Sequence, residues 1–189
     1  MKKKKVYVLL TDTGTMFTRM IKLCTRKPFN HASIGFDTEL AEVYSFGRKT
    51  PRNPFIGGFV KENVKSGLFI GAGCAIYSCT LSECQYKKMY QKVKKLEEQK
   101  LQLKYNFLGL IAVLLKLKFH RKNAFFCSQF VATILHESGL PLVHKPLCLV
   151  TPHDLTTISI FELVYRGKLS SYLLMLEHQS CNKEYAKVN

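Results

Sequence analysis

A cysteine, a histidine and a glutamate, far apart in this 189-residue chain, are of the types that together carry nucleophilic chemistry. The cysteine is Cys127, in NAFFCSQFVATILHESGLP (123–141), where an apolar lead-in turns helical at the thiol and stops at Gly139-Leu140-Pro141. A helix N-terminus lowers a thiol's pKa and offers unpaired N–H groups to an oxyanion. Such a nucleophile also needs a base within hydrogen-bond reach and a third group to orient that base. Most lone cysteines are only small buried residues, so the base decides how Cys127 is read.

Six histidines are available, at 31, 120, 136, 144, 153 and 178. His136 shares the Cys127 helix but stands roughly 13 Å along it at the helical rise. His120 falls in a basic run and His178 in a polar tail, where both read as solvated. His144 and His153 follow Cys127 among turn and cap residues. His31 differs, because it opens a strand, HASIGFD (31–37), directly after Asn30. Alternation puts His31, Ser33 and Gly35 on one face, with Ala32, Ile34 and Phe36 on the other. Small neighbours leave space beside the imidazole for another element. Glu42, on the next strand, is expected near the point where an antiparallel partner passes His31. A carboxylate there would accept Nδ1–H, fix the tautomer and stabilise the imidazolium. The same three residues also read as a buried cysteine, a satisfied core histidine and a surface glutamate, and spacing alone leaves both readings open.

The elements that must position these groups follow from patterning. KVYVLLT (5–11) is β-branched and apolar and ends in Asp12-Thr13-Gly14, so it reads as a strand into a turn. Residues 15–26 have apolar residues at helical spacing before Pro28. Residues 31–37 and 40–48 read as an antiparallel strand pair. Residues 49–73, rich in Gly and Pro, read as a long loop with at most one short strand, a type of segment that often covers a cleft. CAIYSCTL (74–81) is a further strand, and Ser82 with Gln85 forms a capping box that opens a long basic helix. YNFLGLIAVLL (105–115) is a shorter apolar helix or loop, and Gly139 serves as the C′ residue of the Cys127 helix. Thr151, Pro152 and Asp154 start a short helix. FELVYRG and SSYLLML (161–167 and 170–176) read as short strands, or as a strand and a tail. Strands, a helix-rich middle, then strands again give an α+β class with an antiparallel sheet, in a single domain over 1–189.

Several of these stretches carry a resemblance. NHASIGFD…LAEVYSFGR, followed much later by YNFLG…FFCSQFVATIL and TPHDL, resembles the circularly permuted papain-like cysteine hydrolases of the NlpC superfamily, the YiiX/YebB-like branch, across roughly residues 5–165. In that group the His strand precedes the Cys helix, the reverse of papain. The resemblance implies a permuted papain-like fold, with Cys127 as nucleophile, His31 as general base and Glu42 as the polar orienter. It also implies that Tyr105 lines the substrate cleft and that Ser128, beside the nucleophile, contacts substrate. The implied chemistry is acyl transfer on an amide, an amidase or peptidase reaction through an acyl-enzyme, with no metal or organic cofactor. The substrate would be a small amide, a peptide or another acyl compound. Two rival readings are a lipid-directed acyltransferase or thioesterase on the same fold, and a non-enzymatic basic module that binds a membrane or polymer. Wall-hydrolysing relatives carry export signals, and this sequence does not show one.

Composition bounds the rest. A hydrophobic content of 47% with 22% charged residues describes a globular chain, and the net charge is +16. Residues 87–122 hold eleven Lys/Arg against Glu97 and Glu98. Such a stripe could face anionic lipid, a polyanion or water, and no nucleic-acid-binding signature accompanies it. The apolar run after MKKKK is too short for a secretory segment and 107–115 too short to span a bilayer, so the expected compartment is cytoplasmic. Seven cysteines without a C-x-x-C pair fit that expectation, and write neither a disulfide framework nor a zinc site. The even spacing of Cys74, Cys79 and Cys84 invites a metal reading, against which stands the strand pattern around them.

Overall fold

The computed structural model describes residues 3–14, 22, 26–48, 57–115, 117–119, 121, 123–141 and 144–188. The helix expected over 15–26 and the loop portion 49–56 lie outside the described residues, as do Cys24 and His120. The architecture is α+β, built on a six-stranded sheet in which every neighbouring pair is antiparallel. In chain order its strands are β1 (Lys3–Asp12), β2 (His31–Gly35), β3 (Val43–Arg48), β4 (Gly57–Glu62), β5 (Gly73–Ser82) and, after two short strands described below, β8 (Glu162–Lys168). They lie side by side as β4-β3-β2-β1-β5-β8.

The central strand shows why the sheet is covered on both sides. Val6, Val8 and Leu10 of β1 belong to one apolar cluster, with Phe46, Phe59, Met89, Val93, Phe130 and Ile134. Tyr7 and Leu9 point the other way, into a second cluster with Leu40, Phe69, Ile76, Leu169 and Tyr172. A strand buried on both faces has no polar side to show, which accounts for its unbroken apolar run. The first face is packed by helix α1 (Glu83–Glu98) and by helix α3 (Cys127–Glu137). Between them comes helix α2 (Phe107–Leu114). A short helix α4 (Pro152–Leu155) follows α3, and helix α5 (Leu169–Val188) contributes Leu169 and Tyr172 to the second face.

The caps act where expected. Ser82 and Gln85 satisfy each other's backbone at the start of α1, and Thr151 and Asp154 do the same for α4. Gly139 takes φ +77° after α3, a conformation glycine adopts freely. The end of the chain differs from expectation, because residues 170–176 are helical and not a strand or tail. Tyr172, Leu173 and Leu176 recur at helical spacing toward the second cluster, whereas Leu174 and Met175 are half-exposed. A run of adjacent apolar residues does not itself distinguish the two periods.

Cys74 and Cys79 fall on opposite faces of β5, one in each apolar cluster, and Cys84 is exposed on α1. That geometry removes the metal reading of the three. Among the described residues no group of three His, Cys, Asp or Glu could hold a metal ion, and no helix is long and apolar enough to cross a membrane.

Candidate functional site

Cys127 is the first residue of α3, and the position before it is Phe126, fully buried and unable to cap with its side chain. Helix starts usually satisfy their orphan amides with Ser, Thr, Asp or Asn. Here the sulfur itself fills that role, since the Ser128 N–H donates to it, as does the Ala32 N–H of β2. The approach to the helix is fixed by a small parallel pair, β6 (Lys104–Tyr105) and β7 (Ala124–Phe125). The Asn106 N–H donates to the Phe125 carbonyl at 2.9 Å and so holds the chain just before the thiol.

His31 opens β2 opposite Thr11 of β1. The preceding residue is anchored twice: Asn30 N–H donates to the Thr11 carbonyl at 3.1 Å, and its side-chain amide donates to Asp12 Oδ1 at 2.7 Å. The β2–β3 register, Ile34 with Tyr44 and Gly35 with Val43, carries on to set Gly47 beside His31. The imidazole Cε1 lies 3.6 Å from where a Gly47 Cβ would stand, so the ring rests on a strand without a side chain beneath it. Phe69 covers it from another side, with the ring centroids 6.4 Å apart.

The imidazole makes two polar contacts. Its Nε2 meets Glu62 Oε1 at 2.7 Å, and the ring is also hydrogen-bonded to the Cys127 thiol, which leaves Nδ1 for the sulfur. Glu62 closes β4, and its carboxylate also accepts from Ser33 at 2.6 Å and from the Ser45 hydroxyl. The small face expected on β2 is therefore occupied by a carboxylate from two strands away. With side chains only 15% and 6% exposed, His31 and Glu62 form an ion pair shielded from water.

The electrostatics follow from that shielding. Burial alone would lower the His31 pKa, but the Glu62 charge and the thiol outweigh it and raise it from 6.5 to about 10. Burial would raise Glu62, yet His31 and the two serine hydroxyls bring it below the ordinary carboxylate value. Burial likewise opposes the Cys127 thiolate, and His31 together with the Ala32 and Ser128 amides reverses the direction, so the thiol titrates below its ordinary value. Other buried thiols go the opposite way: burial pushes Cys79 up to about 12 and, against a Gly167 backbone hydrogen bond, Cys74 up to about 11. These directions favour thiolate, imidazolium and carboxylate in a row over the neutral thiol and imidazole.

Glu42 is not the carboxylate at His31. It lies past the far end of the β2–β3 pair, its carbonyl accepting from Phe36 N–H at 3.1 Å, and strand alternation turns it to the face of Tyr44, opposite the one shared by His31, Val43 and Glu62. Its carboxylate is engaged instead by Tyr44, Lys61 and Lys94, which hold its pKa down to about 2 against the opposing effect of burial. Lys94 also donates to Tyr44 Oη at 2.6 Å and to Glu97 at 2.9 Å, which ties α1 to the sheet. Glu62 was missed because it closes a Gly-rich stretch read mainly as loop. One signal was present: it is the only acidic residue between Glu42 and Glu83.

The Ser128 hydroxyl donates to the Val150 carbonyl at 2.8 Å and the residue is 1% exposed, while its amide donates to the sulfur. Tyr105 stands beside Gly57 at the start of β4, where a Cβ on that glycine would lie 2.9 Å from the tyrosine Cβ. It is paired with Phe125, two residues before the thiol. His136, His144 and His178 are exposed, and His153 sits in α4.

The lysines of α1 are largely engaged. Lys87 pairs with Glu83 at 3.0 Å, Lys92 with Glu137 at 2.7 Å, and Lys94 with Glu42 and Glu97. This helix is therefore less of an open cationic stripe than its composition suggests.

No protein-family model matches the chain, and no curated protein does.

Proposed function

We propose that the protein is a cysteine-dependent hydrolase of the amidase or peptidase type, acting through Cys127, His31 and Glu62 in a permuted papain-like arrangement. The observation that carries this reading is a buried thiol hydrogen-bonded to an imidazole whose other nitrogen is held by a buried carboxylate. A structural cysteine needs neither partner, and Cys74 and Cys79, the other buried cysteines among the described residues, have neither an imidazole nor a carboxylate acting on them. The chain order of the histidine strand before the cysteine helix agrees with the resemblance in the sequence.

The roles follow from the geometry. The thiolate attacks an amide carbonyl, and a new S–C bond forms as the carbonyl π electrons move to oxygen. The Cys127 N–H, at the start of α3, would donate to that oxyanion, a contact worth on the order of 3 kcal/mol. Imidazolium Nδ1–H then protonates the leaving amine as the C–N bond breaks. The neutral imidazole accepts a proton from water, which opens the thioester and restores the thiol. Glu62 keeps the ring in place through Nε2–H and stabilises its charged form throughout.

The test is mass spectrometry of the protein with a panel of activated amides and esters. One acyl group should accumulate on Cys127 in the wild type and none in Cys127→Ala, with turnover lost in His31→Ala. Absence of both turnover and a Cys127 adduct across the panel would remove the hydrolase reading.

A further inference from the structure

The stretch from Phe107 to Leu115, which includes α2, contains no polar side chain, yet it lies at the surface. Its inward side is made of small residues, Gly109 and Ala112, both buried. Asn106 starts it, accepting from the Gly109 N–H at 2.9 Å. The outward side presents Leu108, Ile111 and Leu115, 56%, 39% and 63% exposed, at the spacing that forms a single helical stripe. Leu117 and Phe119 extend the patch at 58% and 37%. A helix apolar on every side is normally buried, and this one has solvent against its larger residues.

Along the chain the charge flanking the patch has one sign. Residues 99–136 contain no Asp or Glu, and within them Lys104, Lys118 and Arg121 are exposed. Two copies of this chain meeting through the patch would bring these cations together, which disfavours self-association. An anionic lipid surface offers both of the missing complements, acyl chains for the leucines and phosphates for the cations. The helix is only about 12 Å long against a hydrocarbon core of about 30 Å, so it lies along such a surface and does not span it.

We propose that the segment from α2 to Arg121 docks the protein on anionic membranes. Both ends of the segment are pinned next to the thiol's strand: Lys104 N–H donates to the Asn123 carbonyl at 3.0 Å and Asn106 N–H to that of Phe125 at 2.9 Å. Since β7 leads through Phe126 to Cys127, docking sets the candidate site beside the lipid surface. The docking itself requires nothing of the thiol's chemistry and stands even where Cys127 is inert.

Flotation with vesicles tests it, using phosphatidylcholine alone or mixed with phosphatidylglycerol. The variants are Leu115→Asp/Leu117→Asp and Lys118→Gln/Arg121→Gln, all at exposed positions, with folding checked by thermal melting. The wild type should float with the phosphatidylglycerol vesicles at low salt. It should bind at least about tenfold less when salt shortens the screening length from about 10 Å to about 3 Å. The aspartate pair should abolish flotation, and the glutamine pair should weaken it roughly thirtyfold. Wild type that ignores phosphatidylglycerol vesicles, or binds both lipid mixtures equally, overturns the proposal. So does an aspartate pair that floats like wild type, or a solution dimer that the aspartate pair splits, which would assign the patch to a second copy.

Discussion

Glu62→Gln removes one charge from the site while keeping a near-identical shape that still accepts from His31 Nε2–H. The rise of the imidazole from 6.5 to about 10 corresponds to a preference for imidazolium on the order of 5 kcal/mol. Two anions sustain it, the Glu62 carboxylate and the Cys127 thiolate. A hydrogen bond to a charged group is worth about 1.5–3 kcal/mol, so loss of the Glu62 charge should cost about 2 kcal/mol, roughly a thirtyfold fall in the ratio of ion pair to neutral thiol and imidazole. Alkylation by iodoacetamide at about pH 6, where an ordinary thiol is almost wholly protonated, reads this ratio through the thiolate fraction. Because Cys127 is only 4% exposed, the useful quantity is the rate of the variant relative to wild type under one set of conditions. Glu62→Gln should shift the alkylation profile about 1.5 pH units higher, which slows Cys127 labelling roughly thirtyfold wherever the thiolate is the minor form. Glu42→Gln, which disturbs only the Lys61, Lys94 and Tyr44 cluster, should leave it unchanged. An unaltered rate in Glu62→Gln, or a comparable loss in Glu42→Gln, would refute the assignment of Glu62 as the orienting carboxylate.

Among the described cysteines, Cys127 should be labelled with the lowest pH midpoint, and Cys79, pushed up to about 12, should stay unreactive at neutral pH; peptide mapping that shows the reverse order would count against the site. Ser128→Ala leaves the Val150 carbonyl without its donor and should cost about 1–3 kcal/mol of stability, read as a lower Tm, without moving the thiolate profile. A change in KM with no change in Tm would instead restore a substrate-binding role to that hydroxyl. The His31–Glu62 pair also predicts a pH window for stability. Its raised histidine contributes fully below 6.5, and that contribution is lost as pH rises through about 10; its lowered glutamate contributes above 4.5 and is lost as pH falls through its folded-state value. The stability difference between wild type and Glu62→Gln should therefore be largest between 4.5 and 6.5, and urea titrations that find it constant up to about 10 would contradict the pairing.

Local pattern carried the sheet's strands other than β4, the caps of α1 and α4, and the two ends of the candidate pair. Cys127 announces itself where apolar residues switch to helical period, and His31 where a strand follows Asn30, because both signals are contained within a few residues. The third member was not legible in the same way. Glu62 reaches His31 only through the register of two successive strand pairs, and registers between distant segments are set by the packed sheet, not by neighbours in sequence. Nearness along the chain favoured Glu42, but strand alternation turns it to the opposite face from His31, toward the cations of β4 and α1. The basic character of α1 was visible as composition, whereas its ion pairs to Glu83, Glu137 and Glu42 needed the fold. Residues 170–176 read as a short strand or a tail because Tyr172 to Leu176 are consecutively apolar, and only their division between the second cluster and solvent reveals the helical period.

The central claim is that Cys127 and His31 exist as a thiolate–imidazolium pair, and the ultraviolet absorbance of the thiolate measures this without requiring a reagent to reach the sulfur. Titrated as the difference between wild type and Cys127→Ala, the thiolate signal should persist well below 9.0, the ordinary thiol value, and His31→Ala should return it to that value or above, since burial then acts unopposed by the imidazolium. A wild-type signal that appears only above 9.0, or one that His31→Ala leaves in place, would contradict the pair and with it the reading of Cys127 as a nucleophile.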